Sequence, residues 1–109
     1  MNIYIVIPAY NESKRIGKVL NDLKVFNLHI IVVDDGSKDS TFKQAKRYKV
    51  ILLRHQLNLG KGAALKTGCE AAISMGADAI IMMDSDGQHK AEDLPKFIEK
   101  IESGKFDII

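Results

Sequence analysis

Asp84-Ser85-Asp86 sets two carboxylates two residues apart, directly behind the apolar run Ala79 to Met83. In extended backbone, residues i and i+2 project to the same side, so both side chains can converge on one cation. A hard divalent ion such as Mg²⁺ or Mn²⁺ takes one or two carboxylates and fills its shell with substrate phosphate oxygens. Held there, it would neutralise a diphosphate leaving group as charge develops in the transition state. Gln88, two residues further on, can add an oxygen, so Asp84, Asp86 and Gln88 form the candidate metal set. Asp, Ser and Gly also favour turns on their own account, and an isolated Asp-x-Asp would be read as one. Two further polar clusters tip the reading toward metal.

Those clusters are Pro8-Ala9-Tyr10-Asn11-Glu12 and Asp34-Asp35-Gly36-Ser37, each behind an apolar run. Asp35 can accept a hydrogen bond from the N–H of a base, while Asp39 or Ser40 can cap the helix that follows. Capping alone leaves the adjacent acids Asp34 and Asp35 without a role. Tyr10 can pack on a base, and Glu12 can take a base or ribose hydrogen bond. Equally, Asn11 or Ser13 can simply cap the first helix, and residue type leaves Glu12 undecided. Asn58-Leu59-Gly60-Lys61-Gly62 precedes another helical segment, whose N-terminus would attract an anion. The run lacks P-loop spacing, and no G-x-G-x-x-G occurs, so it reads as a structural turn. His89 can reach a metal beside the acids but reads better as solvated or capping. Cys69, on a helix among small residues, reads as packed.

The frame that must position these residues is legible from hydrophobic patterning. Ile3 to Ile7, His29 to Val33, Val50 to Leu53, Ala79 to Met83 and Phe106 to Ile109 read as strands. They are nearly continuous in hydrophobicity, as strands covered on both faces are. Between them, Ile16, Val19, Leu20 and Leu23 fall on one helical face, as do Leu94, Phe97, Ile98 and Ile101. Ala64, Thr67, Gly68, Ala71 and Met75 form a largely small-residue face suited to close approach to a sheet. The alternation predicts a three-layer α/β fold, a mostly parallel sheet with helices on both faces and right-handed crossovers. In such sheets ligands bind beyond the carboxyl ends of the strands, where strand order reverses. All three polar clusters therefore emerge on one edge. Neighbouring strands are ~4.8 Å apart, so three or four strand ends span about 10–15 Å, the length of a nucleoside diphosphate carrying a sugar.

With 109 residues the chain has room for one domain. A net charge of +2 without a dense basic run, and few aromatic residues, argue against nucleic acid. A single cysteine excludes an intrachain disulfide and fits a reduced compartment. Met1 to Pro8 lacks the basic leader and cleavage site of a signal peptide, and no apolar run approaches the ~20 residues that span a bilayer. Because Phe106-Asp107-Ile108-Ile109 opens a strand with no polar tail, residues 1–109 are expected to be a piece of a longer chain.

Ile5-Val6-Ile7-Pro8-Ala9-Tyr10-Asn11-Glu12, Val32-Val33-Asp34-Asp35-Gly36-Ser37-Lys38-Asp39-Ser40-Thr41, Asn58-Leu59-Gly60-Lys61-Gly62 and Met83-Asp84-Ser85-Asp86-Gly87-Gln88-His89 together resemble family 2 of the glycosyltransferases. The nearest branch is that of the dolichol-phosphate mannosyltransferases and polyprenyl-phosphate glycosyltransferases. The resemblance covers essentially the whole chain, in order and spacing. It implies a Rossmann-like GT-A fold, a GDP- or UDP-type nucleotide-diphosphate sugar donor, Mg²⁺ or Mn²⁺, and inversion at the anomeric carbon. On this resemblance Pro8, Ala9, Tyr10 and Glu12 line the nucleotide pocket. Asp35 binds the base with the Val33 backbone nearby, and Lys61 joins the same site. Asp84, Ser85 and Asp86 hold ribose, diphosphate and metal, with Asp86 and Gln88 as direct ligands. The general base and acceptor site are expected beyond Ile109, since Asp107 sits within the last strand. The branch also implies a polyprenyl or dolichyl phosphate acceptor, and a cytoplasmic protein able to work at the cytoplasmic face of a membrane.

Two rivals stand beside this reading. A nucleotide-sugar-binding module without turnover would share every donor-side residue. An aspartate-nucleophile phosphatase would use Asp84 as nucleophile and Asp86 as acid/base. That motif normally follows a first strand and needs a Lys and further acids downstream, for which no residues remain. An EF-hand loop fails, because position six would be His89 and position twelve Pro95.

Overall fold

The computed structural model describes residues 1–86 and 93–102. Gln88, His89, Asp107 and the strand expected over Phe106 to Ile109 lie outside the described residues. Among the described residues four strands, β1 (Ile3–Ala9), β2 (His29–Asp35), β3 (Ile51–His55) and β4 (Ala79–Met82), alternate with four helices. These are α1 (Ile16–Leu23), α2 (Thr41–Ala45), α3 (Lys61–Ser74) and α4 (Leu94–Glu102), and a short 3-10 turn, Lys24–Phe26, extends α1. The strands form one sheet in the order β3-β2-β1-β4, and every pair is parallel. The chain steps outward from β1 to β3, then returns to the other side of β1. Strand order therefore reverses at β1, where an open α/β sheet places its ligand crevice.

All seven residues of β1 are buried, because both of its faces are covered. Ile5 and Ile7 point into a core shared with Ile16, Leu20 and Leu23 of α1 and with Leu94 and Ile101 of α4. Tyr4 and Val6 point the other way, into a smaller core with Ile31, Val33 and the α3 residues Ala64 and Ala72. Helices thus cover both faces, as the alternation predicts. The α3 contact is closer than ordinary side chains permit. A Cβ added at Gly68 would stand 2.3 Å from Val6 Cγ1, so glycine is required where the helix crosses β1. The row that reaches the sheet is Ala64, Gly68 and Ala72. Ala71 is partly buried and packs against the same core, as the expected face requires. Met75, beyond the helix end, is 44% exposed and is a correction to that face.

Three strands run further than their apolar segments. β1 carries on through Pro8 and Ala9, β2 through Asp34 and Asp35, and β3 through Arg54 and His55. The extension of β3 has a chemical reason, since Arg54 and His55 stand in register with Asp34 and Asp35 of β2. β4 ends at Met82, although the Met83 N–H still donates to the Val6 carbonyl at 3.0 Å. Neither Asn11 nor Ser13 caps α1; no side chain does. The Arg15 and Ile16 N–H groups both donate to the Glu12 carbonyl instead. At α2 the choice between Asp39 and Ser40 falls to Asp39, which accepts from the Thr41 N–H at 2.9 Å.

Candidate functional site

The loops behind β1 and β2 are laced together before they reach the cleft. Asn11, in left-handed backbone with φ 53°, donates its N–H to Ser37 Oγ at 2.9 Å. Its side-chain oxygen accepts the Lys38 N–H at 2.9 Å, and the Glu12 N–H reaches Thr41 Oγ1 at 2.8 Å. Asp39 accepts from Thr41 on one oxygen and from the Ser13 N–H on the other. Burial works to raise the Asp39 pKa, but these hydrogen bonds outweigh it and hold the group below the ordinary carboxylate range. Asn11, Ser13 and Asp39 are therefore braces between loops, a role that helix-capping rules do not anticipate.

These braces shape a cleft of about 430 Å³ at the carboxyl edge of the sheet. Pro8 and Ala9 wall it from β1, Tyr10 and Glu12 from the loop behind that strand, and Asp35 from β2. Lys61 contributes from the start of α3, and Asp84, Ser85 and Asp86 from behind β4. The residues assigned from the sequence to the donor and metal site meet there with two exceptions. Val33 does not line the cleft and is fully buried in the core beneath α3. Gln88 lies outside the described residues.

Asp34 and Asp35 are adjacent in an extended strand and therefore face opposite ways. Asp34 is fully buried. Its Oδ1 accepts the Ser37 N–H at 3.0 Å, and Oδ2 lies 3.7 Å from Arg54 Nε, beyond hydrogen-bond range. Asp35, 2% exposed, already accepts three N–H groups. Oδ1 takes His55 Nδ1 at 2.8 Å and the Leu59 N–H at 2.9 Å, while Oδ2 takes the Gly60 N–H at 2.8 Å. A carboxylate offers about four acceptor positions, so one remains for a ligand. Burial pushes the Asp35 pKa up, but His55, Leu59 and Gly60 together hold it below the ordinary value. The same loop presses on Gly36, whose φ of +71° suits glycine. A Cβ there would stand 2.5 Å from the Leu57 carbonyl carbon.

Glu12 is nine-tenths buried, with Oε1 on Arg15 Nη2 at 2.5 Å. Its Oε2 is buried without a hydrogen-bond partner. A buried acceptor left unmade costs about 1–3 kcal/mol, so a ligand N–H or O–H arriving there would be favoured. Tyr10 is 41% exposed and lines the same space. Opposite, Lys61 Nζ approaches Asp84 Oδ1 to 2.5 Å, which shows that the β4 end already attracts a cation. Among the described residues no cluster of three or more His, Cys, Asp or Glu could by itself hold a metal. Two hard oxygen donors beside a cleft nonetheless fit a divalent ion that draws its other ligands from substrate.

The sequence reading misses Arg15 and His55, and it assigns Asn58 and Gly60 to a structural turn although both line the cleft. Arg15 lies one helical turn after Glu12, and Asn58 heads the loop that Asp35 holds. His55 ends β3 at the same carboxyl edge as the acidic clusters. Asking what closes every strand, rather than which strands end in acids, would have found it.

A family model described as glycosyl transferase family 2 matches residues 4–109. The UDP-N-acetylglucosamine–dolichyl-phosphate N-acetylglucosaminyltransferase of Methanococcus voltae is 42% identical over 117 residues, covering 91% of this chain and 47% of that protein. The dolichol-phosphate mannosyltransferase of Pyrococcus furiosus is 34% identical over 112 residues, covering 95% and 31%. Glucosyl-3-phosphoglycerate synthase from Mycobacterium tuberculosis, solved with Mn²⁺, UDP and glucosyl-3-phosphoglycerate, superposes with a TM-score of 0.74 at 25% identity, covering 92% and 39%. The chain spans less than half the length of each of these proteins.

Proposed function

The chain belongs to glycosyl transferase family 2, with a fold of the GT-A type, and from that premise we propose that it forms the donor-binding part of an inverting, metal-dependent glycosyltransferase. One observation carries the reading: Asp35 and Asp86, from strands on either side of β1, wall the same cleft. The cleft is of a size to take a nucleoside diphosphate. The ring of Tyr10 and the unpartnered Glu12 Oε2 would receive the nucleoside. Lys61 and the N-terminus of α3 would face the phosphates, where a helix favours negative charge. Asp84 and Asp86, with Gln88 beyond them in the chain, would hold Mg²⁺ or Mn²⁺. The ion would supply positive charge against the departing diphosphate.

In the proposed reaction an acceptor oxygen attacks the anomeric carbon on the face opposite the diphosphate. The carbon–oxygen bond to the diphosphate breaks, and configuration inverts. The walls described here would bind and orient the donor for that displacement and keep its leaving group paired. Named activities of the Methanococcus and Pyrococcus relatives support a polyprenyl or dolichyl phosphate acceptor, met at a membrane surface. Among the described residues no helix is long and apolar enough to cross a membrane. Membership of the family leaves the phosphatase reading of Asp84 without support.

Calorimetry tests the proposal. UDP or GDP should bind with Mn²⁺ or Mg²⁺ present and lose affinity in chelator, and Asp86→Ala should abolish that metal dependence. Equal affinity of the unaltered chain with and without chelator would remove the cation from the account.

A further inference from the structure

His55 joins β2, β3 and α3 through its ring nitrogens without lining the cleft. It ends the edge strand β3, in register with Asp35. Its Nδ1 lies 2.8 Å from Asp35 Oδ1, and its Nε2 lies 2.8 Å from Thr67 Oγ1, in the second turn of α3. Its side chain is only 12% exposed. Facing a carboxylate, Nδ1 must carry a proton. Nε2 can then accept from the threonine hydroxyl, so both ring nitrogens are satisfied.

The Asp35 carboxylate holds the backbone of Leu59 and Gly60, and those two residues lead directly into Lys61. Leu57 and Leu59 are 73% and 60% exposed, so no burial of their side chains fixes this loop. Its position rests on the Asp35 carboxylate, the Asn58 contact to the Asp35 carbonyl and the close approach to Gly36. A carboxylate rotates readily about its terminal torsion, which is broad and two-fold. His55 on one side, and Thr67 behind it, stop that rotation. We infer that His55 is a positioning residue of the cleft, locking Asp35 so that the Asn58–Gly60 loop and Lys61 are presented to the donor in one geometry. The inference rests on the donor-binding reading above and adds a residue to it that no ligand would touch.

The test pairs amide hydrogen exchange at Leu59 and Gly60 with calorimetric binding of UDP and GDP in Mn²⁺. His55→Leu should lower protection at those two amides and weaken nucleotide binding about tenfold, as loss of an orienting partner typically does. His55→Asn should recover most of both, because its amide N–H can take the place of Nδ1–H. Thr67→Val, which removes only the support behind the ring, should show a smaller loss of the same kind. Should His55→Leu fail to fold, the other two variants carry the test. A folded His55→Leu that binds like the parent would overturn the positioning role and leave the donor reading intact, as would a His55→Asn no better than His55→Leu. An unaltered chain that binds neither nucleotide would sink the donor reading, and this inference with it.

Discussion

Asp35 and Asp84 wall one cleft from strands on either side of β1, yet different kinds of partner hold their carboxylates. Asp35 is fixed by two backbone N–H groups and an imidazole, with its side chain 3% exposed. Asp84, 18% exposed, meets the ammonium of Lys61, a side chain that is itself 63% exposed. The β2 wall is therefore part of the fold, assembled as the chain assembles. At the β4 wall a long solvated side chain touches the acid, and such a partner is exchanged at low cost. A binding site profits from both, since the first gives geometry and the second can accept an incoming ion without unfolding anything.

Stability measurements should separate the walls most sharply. Asp35→Ala strands the Leu59 and Gly60 N–H groups and the His55 ring, and should cost on the order of 3 kcal/mol in urea denaturation. Asp84→Ala gives up the ion pair to a mostly solvated Lys61 and should cost less than Asp35→Ala, about 1 kcal/mol for that pair. Comparable losses from the two variants would erase the distinction.

Acid should show the same asymmetry with smaller amplitude. Asp35 titrates below its ordinary value in the folded chain, so the unfolded chain takes up the proton first as pH falls. The stability it contributes is complete above the unfolded value, near 3.8, and is lost as pH falls through the folded one. Asp39 acts in the same direction. The effect is smaller than that of Asp35→Ala because a protonated carboxyl keeps oxygens for the loop N–H groups. Stability followed by urea unfolding from pH 5.5 downward should fall in the parent, and Asp35→Asn should flatten part of that slope. An unchanged slope in Asp35→Asn would place the acid sensitivity elsewhere.

Much of this was legible in the sequence, because continuous β-branched runs and a 3.6-residue period report burial directly. Ile5, Ile7, Ile16 and Leu20 stand where that logic puts them. The polar clusters were also brought to one edge, since parallel strands leave no other choice. Contacts between loops were not legible. Asn11 and Ser13 are good cap residues by type, and only the folded chain shows them bridging to the turn behind β2. The pair Asp34-Asp35 looked like one feature, but the pleat sends one acid toward Arg54 and the other to the cleft. β3 read short because hydrophobicity stops at Leu53, whereas pairing opposite acids carries it to His55. Register is a relation between segments, and a pattern within one segment does not contain it.

Lys61 offers the finest test of the comparison. Its side chain is mostly solvated, so the bridge to Asp84 is worth about 0.5–1 kcal/mol at most, and Lys61→Met should barely change stability. If a divalent cation is to use Asp84, however, it must displace that ammonium or share the carboxylate with it. Removing the lysine should then strengthen binding of Mn²⁺ alone by roughly two- to fivefold, the same 0.5–1 kcal/mol expressed as an equilibrium. It should at the same time weaken nucleoside diphosphate, which loses a phosphate partner. Mn²⁺ titrations followed by electron paramagnetic resonance, with and without UDP, read the two effects separately. Tighter metal with weaker nucleotide is the pattern expected of an exchangeable wall. Unchanged Mn²⁺ affinity would mean that ammonium and metal never compete for Asp84, and the β4 end would then be as fixed as the β2 end.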